Sequence, residues 1–582
     1  MAFRFQKNYV TAFDRSAISI ANLMERGAGK YVFITVCGVA SLIIVLAIIL
    51  YLSDDNILLY YGDAAYHLSA ARKLFDSENP GLSQLGRVWL PLPLILFMFP
   101  SLSDFLFYSG FAGLAINVPA LALTTFLLHK ILLETGKVDS RLALVFALLY
   151  PLNPNVMYIV MTAMTEITFI LFFVASAYYF QRWTSSHKNS DLLLCSGIVA
   201  ASTLCRYEAW PLVIFILSIL LIAFVKRRMR LSVVVSAAAL SIFGIGLWCA
   251  WNMYSFGNPL DFATAEYYSP ASAATSRPVS GTLYLQPLNV IGIYGITALI
   301  VYGPIMLWVG MRGFAKHFKL PLFWYLVLPA AFTVIAMISG IAEMSIWFNS
   351  RFILFLTPLL LIAGFHYLRL LGSKRAFAMI CLIFCHILIV MPVLHSLTYF
   401  DNVRDSKLLP IPFSTKIGAS DISLGESGVV TINQPNRYEY QYQIPGDVPL
   451  TGVVTLIDAL FNFNYPDNLS AIEAGAFLRS NYDSGKIMTI AGSGQGQKVM
   501  ITSWIKYAEY DEMTEADMQK ASFQEPWKYD KWIVIAKNPE WNALKSYQYW
   551  HLQRDVLDEH YHKVYENDYY EILKLNDDKL GN

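Results

Sequence analysis

Residues 31–52 read YVFITVCGVASLIIVLAIILYL, an apolar run that contains no charged side chain. A helix needs about 20 mostly apolar residues to cross the hydrocarbon core of a bilayer. Basic residues precede the run, which is too long for the apolar core of a signal peptide, and no Ala-x-Ala-like cleavage site follows it. The run therefore predicts an uncleaved first membrane span, with residues 1–30 in the cytoplasm.

A second informative segment comes soon after this span, where residues 61–75 read YGDAAYHLSAARKLF. Its apolar side chains recur at the spacing of one helix face, at Leu68, Ala71, Leu74 and Phe75. The spacing predicts a helix that lies along the membrane interface in the first outer loop, 53–104, with Asp63 in its first turn. An acid there complements the helix dipole, so Asp63 is either a plain N-terminal helix acid or a functional carboxylate.

Apolar segments of similar length recur along the first 400 residues. They lie near 31–52, 105–128, 142–160, 164–181, 191–205, 209–225, 231–253, 289–310, 321–340, 352–368 and 377–397. By the length criterion these segments are about eleven spans. They predict a mainly α protein, with a polytopic membrane helix bundle over residues 31–397. The apolar stretch 89–100 is shorter and holds three prolines, so we interpret it as interfacial or re-entrant rather than as a further span.

The distribution of charge indicates the orientation. Residues 1–400 hold 26 Lys and Arg and 16 Asp and Glu, whereas residues 401–582 hold 17 and 26. If the N-terminus is cytoplasmic, most basic residues of the bundle fall in cytoplasmic loops, as the positive-inside rule requires. An odd number of spans then places the C-terminal domain, 398–582, outside the cytoplasm. We expect a bacterial inner membrane and a periplasmic domain.

The composition of the whole chain excludes some classes of function. Only 15% of the residues are charged, against about 25% in soluble domains, which argues against an ordinary cytoplasmic enzyme and against a nucleic-acid partner.

In the acidic tail, residues 470–483 have helix spacing, 486–491 and 531–536 read as short buried strands, and 569–575 is a further candidate strand. The tail is therefore predicted to be a small soluble α/β domain. We interpret the glycine-rich residues 492–497 as a turn into a helix, because they lack the Lys-Ser/Thr of a phosphate-binding loop.

Charged residues of the bundle avoid the middles of the spans and gather at their outer ends. They include Asp63, Arg87, Glu166, Arg206, Glu208, Glu343 and Arg351. A transporter usually buries ionisable groups near the bilayer midplane, so this distribution favours a reaction at the membrane surface on a lipid-borne substrate. A transporter or flippase of lipid-linked sugars and a non-catalytic membrane-anchored envelope binding protein are the alternatives.

The order of these residues resembles a known superfamily. Four segments carry the likeness together with Asp63: Gly86-Arg87-Val88-Trp89-Leu90-Pro91-Leu92-Pro93, Thr165-Glu166, Cys205-Arg206-Tyr207-Glu208-Ala209-Trp210, and Arg351-Phe352-Ile353-Leu354-Phe355-Leu356-Thr357-Pro358-Leu359. They resemble the GT-C superfamily of membrane glycosyltransferases. Within it, the likeness is to the branch of protein O-mannosyltransferases and lipid A aminoarabinose transferase, which is glycosyltransferase family 39-like. That superfamily often has Asp-Glu in the first loop, whereas Ala64 follows Asp63 here, which leaves open whether a divalent metal is held there.

The resemblance implies that a sugar moves from a polyprenyl-phosphate donor to a glycan, lipid or protein acceptor on the outer face, with inversion at the anomeric carbon. The attacking hydroxyl must lose its proton, and we expect Asp63 to be the general base, with Glu166 orienting the acceptor or the sugar. Arginines bind phosphate bidentately, and the candidates for the donor phosphate are Arg87, Arg206 and Arg351. Further substrate contacts are expected from Tyr66, His67, Tyr207, Glu208 and Glu343.

Each of these residues also has a purely structural interpretation. The arginines could snorkel to the interface or pair with a neighbouring acid, as Arg206 could with Glu208. Glu166 could simply be an acid at the start of a helix. His67 is equally interpretable as an interfacial polar residue, because no second His or Cys lies at metal-ligand spacing from it.

Overall fold

The computed structural model describes most of the chain. The described residues are 14–52, 57–59, 62–136, 140–227, 229–264, 287–338, 351–390, 422–424, 429–434, 437–443, 466–513, 517–537, 539 and 543–576. Within them the bundle is almost wholly helical, and strands occur only after residue 421.

The helices alternate between long apolar rods and short connecting pieces. In chain order they are α1 Asp14–Leu52, α2 Gly62–Lys73, α3 Pro91–Ser101, α4 Asp104–Tyr108, α5 Phe111–Gly136, α6 Ser140–Ala147, α7 Pro154–Met161, α8 Glu166–Ser186, α9 Asn189–Thr203, α10 Trp210–Val225, α11 Leu231–Phe256, α12 Asp261–Thr264, α13 Pro287–His317, α14 Pro321–Ile338, α15 Thr357–Leu368 and α16 Ser373–Cys385. The soluble domain adds α17 Pro466–Asn481, α18 Ser493–Ser503, α19 Ala521–Gln524, α20 Leu544–Leu552 and α21 Arg554–His560.

Six of the described helices are long and apolar enough to cross a membrane, or seven if a bent pair counts as one span. The predicted number of eleven is therefore not confirmed. The difference is clearest over 142–160, which is not one rod but the separate helices α6 and α7. Asn153 ends the intervening turn and caps α7, because its side-chain oxygen accepts hydrogen bonds from the backbone N–H groups of Asn155 and Val156. Pro154 then occupies the first helical position, where its missing N–H costs nothing.

The spans expose apolar side chains in the way expected of lipid-facing helices. In α1 the exposed positions include Phe33, Ile34 and Ile49, and in α11 they include Val235 and Phe243. Soluble proteins rarely present contiguous apolar surface of this kind to water. The exposed pattern therefore agrees with a helix bundle that has lipid around it.

The C-terminal domain holds two sheets. Strands β1 Ile422–Leu424, β2 Val429–Gln434 and β3 Arg437–Gln443 form an antiparallel sheet, while β4 Lys486–Ile490, β5 Tyr510–Glu512, β6 Asp530–Ala536, β7 Tyr561–Glu566 and β8 Tyr570–Leu575 form a mixed sheet in the order β5-β4-β6-β8-β7. The first three strands of that order are parallel, and the pairs β6–β8 and β8–β7 are antiparallel. The predicted strands near 486, 531 and 569 are confirmed, as is the helix after residue 470.

The soluble domain rests directly on α2. The hydroxyl of Tyr507 and Oγ of Ser69 are 2.6 Å apart in a buried hydrogen bond, and Lys73 donates to both carboxylate oxygens of Glu512 at 2.7 Å. Nearby, a Cβ added to Gly62 would lie 3.8 Å from Cα of Gly494. The glycine-rich start of α18 therefore lies beside the first turn of α2.

Close helix packing in the bundle depends on small residues. A Cβ added to Gly244 of α11 would lie 2.2 Å from the carbonyl oxygen of Ala200 and 2.3 Å from Oγ1 of Thr203, both on α9. No real Cβ tolerates such distances, so the two backbones approach each other only because residue 244 has no side chain.

We expect Gly244→Val to destabilise the protein by about 1–3 kcal/mol, because the added methyl groups force α9 and α11 apart. The effect is measured as a lower unfolding temperature of the purified protein in detergent. Gly246→Val is the matched control, since Gly246 is exposed on the same helix and an added Cβ there meets no atom of the described residues within 4 Å. Equal unfolding temperatures for the two variants would contradict this packing.

Candidate active site

Asp63 lies in the first turn of α2, with its side chain 24% exposed. Its Oδ2 accepts a hydrogen bond from Nη1 of Arg351 at 2.5 Å. Arg351 precedes the short 3-10 helix Ile353–Leu356 that leads into α15, and it is 5% exposed. The ion pair therefore joins the first outer loop to the start of a late helix, as expected if the two residues share one site.

Glu166 is the first residue of α8 and is fully buried. Its Oε1 accepts a hydrogen bond from Nη1 of Arg206 at 3.0 Å and lies 3.7 Å from Nε of Arg351. Its Oε2 has no hydrogen-bond partner among the described residues. A buried carboxylate is costly unless it is paired, and here one carboxylate serves two guanidinium groups.

Arg206 immediately precedes the 3-10 helix Tyr207–Ala209, and its guanidinium donates hydrogen bonds to three residues. Nε and Nη2 donate to the two oxygens of Glu208 at 3.2 and 3.0 Å. Nη1 donates to Glu166 and also to Oγ1 of Thr165, the latter at 2.8 Å. The pairing with Glu208 expected from the sequence is therefore present, together with a second pairing that brings Arg206 to the other site residues.

Aromatic rings cover the two guanidinium groups. The central carbon of the Arg351 guanidinium lies 4.7 Å from the ring centroid of Phe352, and that of Arg206 lies 5.4 Å from the centroids of both Phe352 and Phe355. Rings at such distances attract cations through their quadrupole and also exclude water. Ionic interactions are stronger where water is excluded.

We call Asp63, Glu166, Arg206, Glu208 and Arg351 the charge cluster. Burial is the largest single effect and raises the pKa of the Asp63 carboxyl, but the charge and hydrogen bond of Arg351, with the charges of His67 and Arg206, together outweigh burial and hold that pKa below its usual value. Asp63 is therefore ionised at neutral pH. Three carboxylates and two guanidinium groups give the cluster a formal charge of one negative unit, so an added anion must compete with the carboxylates for the arginines.

Tyr66 and His67 extend this region along α2. His67 is 1% exposed, its Nδ1 lies 2.9 Å from the carbonyl oxygen of Ala163, and its ring meets Trp89 edge-on with centroids 4.8 Å apart. The ring of Tyr66 also packs against Trp89, at 5.7 Å between centroids. Burial, with the negative charges of Glu512 and Asp63, raises the pKa of Tyr66 to about 12, so its hydroxyl is protonated at neutral pH.

Neither Arg87 nor Tyr207 belongs to the charge cluster. Nη1 of Arg87 is 3.6 Å from Oδ2 of Asp261, and the Arg87 side chain is 51% exposed. Tyr207 directs its hydroxyl to the carbonyl oxygen of Val88 at 2.7 Å. Glu343 lies outside the described residues. The structure thus brings together two of the three predicted arginines.

The charge cluster does not have the donor set of a metal site. Among the residues that the structure describes, no group of three or more His, Cys, Asp or Glu side chains could hold a metal ion. Asp63 and Glu166 are instead both within ion-pair distance of Arg351. Carboxylates already neutralised by arginine fit a cation poorly, so we derive no step through a divalent metal.

Sequence reasoning missed the residues of the soluble domain that contact α2. Tyr507 also donates to Oε1 of Gln497 at 3.3 Å, and the side-chain amide of Gln497 donates to Glu512. Together with Ser69 and Lys73, these residues form one hydrogen-bonded network between the bundle and the domain. No spacing or motif in the sequence marks such a network, because its members on α2 and its members in the domain are more than 400 residues apart.

Arg351→Met should destabilise the protein by about 1–3 kcal/mol at neutral pH, since it removes a partner of two buried or half-buried carboxylates. Without Arg351, burial dominates and the Asp63 carboxyl gains affinity for protons, so the deficit should shrink as the pH falls. The wild type behaves oppositely: its Asp63 pKa is lowered, so the stabilisation is present at neutral pH and is lost as the pH falls through that value. Unfolding temperatures in detergent from about pH 8 down to about pH 5 measure the trend of the variant, and the loss in the wild type is measured from about pH 4 downward.

The double variant Asp63→Asn with Arg351→Met is the matched control for this experiment. It removes the carboxylate together with its partner and should recover part of the lost stability at pH 7. If the stability that Arg351→Met loses relative to the wild type does not change with pH, the pairing of Asp63 with Arg351 is contradicted.

Comparison with known proteins gives a result only for the fold. No family model matches the sequence, and no curated protein matches it either. Among solved structures, ArnT from Cupriavidus metallidurans bound to undecaprenyl phosphate aligns with a TM-score of 0.54 and 11% identity, covering 94% of this chain and 99% of that chain. The apo state of the same protein aligns with a TM-score of 0.52 and 12% identity at the same coverage. The alignment confirms the predicted fold: the chain shares the architecture of ArnT, which is a GT-C protein, with a multi-pass membrane helix bundle and a small C-terminal sheet domain.

Proposed function

We propose that the protein is an integral membrane glycosyltransferase that moves a sugar from a polyprenyl-phosphate donor to a glycan, lipid or protein acceptor on the outer face of the membrane. The observation that carries the proposal is the charge cluster. The buried Arg351, the mostly buried Arg206 and three acids, from four distant segments, meet at one place in a GT-C fold. Stability alone does not explain these ion pairs, because apolar side chains of similar size stabilise a protein interior at least as well as buried ion pairs do.

Arg206 and Arg351 are proposed to hold the donor phosphate. Guanidinium groups bind phosphate oxygens bidentately, and a departing polyprenyl phosphate gains negative charge that preorganised cations stabilise. ArnT, which shares the fold, was solved with undecaprenyl phosphate bound, and this supports a lipid phosphate as ligand. Arg87, paired with Asp261 at the exposed edge, is a further candidate for phosphate contact during entry.

Asp63 is proposed to be the general base. The acceptor oxygen attacks the anomeric carbon, the bond from that carbon to the phosphate oxygen breaks, and the hydroxyl proton passes to the carboxylate, with inversion. In the absence of donor, Arg351 keeps Asp63 ionised but weakly basic. A phosphate that draws Arg351 away would raise the proton affinity of Asp63 at the moment when a base is needed.

Glu166 is proposed to set the position of both arginines, because it is fully buried and lies within ion-pair distance of each. Glu208 and Tyr207 would hold the segment that presents Arg206, while Tyr66, His67 and Glu343 remain the predicted contacts to sugar or acceptor. In this proposal residues 1–30 are cytoplasmic, 31–397 form the catalytic bundle in the inner membrane, and 398–582 are periplasmic.

The test uses purified protein in nanodiscs with undecaprenyl-phosphate mannose or undecaprenyl-phosphate aminoarabinose as donor and bacterial envelope lipid and membrane protein as acceptors. Release of undecaprenyl phosphate is followed by chromatography. Asp63→Asn should lower the rate 100-fold or more, since general base catalysis contributes about 10²–10⁴-fold. Arg351→Ala should also weaken binding of undecaprenyl phosphate about 10–100-fold, the loss expected for a charged hydrogen bond of about 1.5–3 kcal/mol.

Arg312→Ala is the matched control, because Arg312 is an exposed arginine stacked on Trp308 at 5.7 Å in α13 and lies outside the charge cluster. It should leave both rate and binding unchanged. Wild-type rates in Asp63→Asn and Arg351→Ala would end the proposed mechanism. Release by none of the donors would end the proposed function.

A further inference from the structure

Helix α13 is broken immediately after Tyr302. Gly303 has backbone angles of φ 75° and ψ 162°, which are not helical, and residues with a side chain rarely adopt a positive φ of this kind. A Cβ added to Gly303 would also lie 2.6 Å from the ring of His386, so there is no room for one. Pro304 follows and has no backbone N–H. The dipeptide Gly303-Pro304 therefore sets the position of the break.

The carbonyl groups just before the break are held by other elements. Ile300 lacks its usual helical donor, because that donor would be the N–H of residue 304, and its oxygen lies 2.8 Å from Nε2 of His386. A carbonyl oxygen only accepts hydrogen bonds, so Nε2 donates. The carbonyl oxygen of Val301 accepts from Nδ2 of Asn153, the cap of α7, at 3.0 Å. The first half of α13 thus ends at a point that is anchored to two neighbouring elements.

Tyr302, the last residue before the break, is tied to the segment that follows Arg351. It is 4% exposed, and its hydroxyl donates to the carbonyl oxygen of Ile353 at 2.8 Å. Oγ1 of Thr357 lies 2.6 Å from the same hydroxyl. A hydroxyl has one hydrogen to donate, so Thr357 donates to Tyr302. The phenol oxygen therefore connects both ends of the 3-10 turn that leads into α15.

The position of Arg351 depends on this turn, because Arg351 precedes Ile353 by only two residues. Its guanidinium lies 2.5 Å from Asp63 and 3.7 Å from Glu166, so it reaches carboxylates on two different helices at once. A shift of the turn by about 1 Å would lengthen the bond to Asp63 beyond about 3.2 Å, the usual upper limit for such bonds. The hydrogen bonds of Tyr302 attach the turn to the anchored end of α13 and so oppose that shift.

We propose that Tyr302 is a positioning residue for Arg351. The inference rests on the proposed function, in which Arg351 holds the donor phosphate. The anchored end of α13 is the fixed reference, and the phenol oxygen transmits its position to the turn and so to the guanidinium. Tyr302 acts through Arg351 and takes no part in making or breaking bonds.

The test compares Tyr302→Phe with the wild type in the nanodisc assay. The substitution removes one oxygen atom. Thr357 can then donate to the Ile353 carbonyl, since threonine often bonds the carbonyl four residues before it, so the buried polar groups stay paired and the protein should remain folded. Undecaprenyl phosphate should bind about 2–10-fold more weakly, the loss expected for one hydrogen bond. The kcat should fall about 10–100-fold, since a misplacement of about 1 Å can cost about 100-fold.

Tyr325→Phe is the matched control. Tyr325 is fully buried in the bundle, and its hydroxyl donates to Oγ of Ser176 at 2.7 Å, so the variant removes the same atom and an equivalent hydrogen bond. Its ring stacks on Phe180 with centroids 5.0 Å apart, and Phe180 lies fourteen residues beyond Glu166 on α8, which is about 21 Å along the helix. Binding and kcat should stay at the wild-type values in this variant, whatever its unfolding temperature.

A double-mutant cycle shows whether the effect passes through Arg351. In the Arg351→Ala background, Tyr302→Phe should cause no further loss of affinity for undecaprenyl phosphate, because no guanidinium is left to position. Losses that multiply would overturn the proposal, as would wild-type binding in Tyr302→Phe. Thr357→Val keeps the hydrogen bond from Tyr302 to Ile353 and should bind like the wild type. A loss as large as that of Tyr302→Phe would contradict the role of the phenol.

Nitrogen NMR distinguishes failure of this inference from failure of the proposed function. In arginine-labelled protein, with Arg351→Lys used to assign the signal, the Nε resonance of Arg351 should shift or broaden in Tyr302→Phe but not in Tyr325→Phe. An unchanged resonance in Tyr302→Phe would overturn the inference even if no donor were turned over. If the resonance changes as expected but the wild type uses none of the donors, the result counts against the proposed function alone.

Discussion

The ion pairs between Asp63 and Arg351 and between Glu166 and Arg206 set a demanding condition on the whole bundle. Removing such charges from water costs several kcal/mol for each ion, and the cost is offset only when every charge meets a well-placed partner. The partners come from α2, α8, the segment before α10 and the segment before α15. These parts must therefore be in register together, and the close packing at Gly244 shows how little freedom the helices have to adjust.

The same condition explains why a ligand would change the chemistry of the site. The carboxylates of the charge cluster pair with its arginines, and the cluster has a small negative formal charge. An incoming phosphate can bind only by exchanging places with carboxylates around Arg206 and Arg351. In the proposed reaction this exchange links two events, since the arginine that accepts the phosphate is the one that suppresses the basicity of Asp63. Donor binding and activation of the base would then be one step.

Much of this could be predicted from the sequence, because membrane segments and outer-end charges leave strong signals. The apolar runs and the positive-inside bias predicted the bundle. The likeness to a known superfamily marked Asp63, Glu166, Arg206 and Arg351, four members of the charge cluster, as candidates. Local breaks were harder: Asn153 and Pro154 divide an apolar stretch that reads as one span. Pairing between distant segments was hardest. Nothing near Arg87 indicated that Asp261 would be its partner, and nothing in the tail indicated that Tyr507 would meet Ser69.

Helix α2 has 12 residues, and isolated helices of that length are marginal in water. It is kept helical by what surrounds it, and part of that surrounding is the soluble domain, through Tyr507 on Ser69 and Glu512 on Lys73. The domain thus helps to hold α2, which carries Asp63 and His67, in its helical conformation. A ligand or partner that moved the C-terminal domain would therefore move Asp63 and His67 as well, because both lie on the helix that the domain contacts.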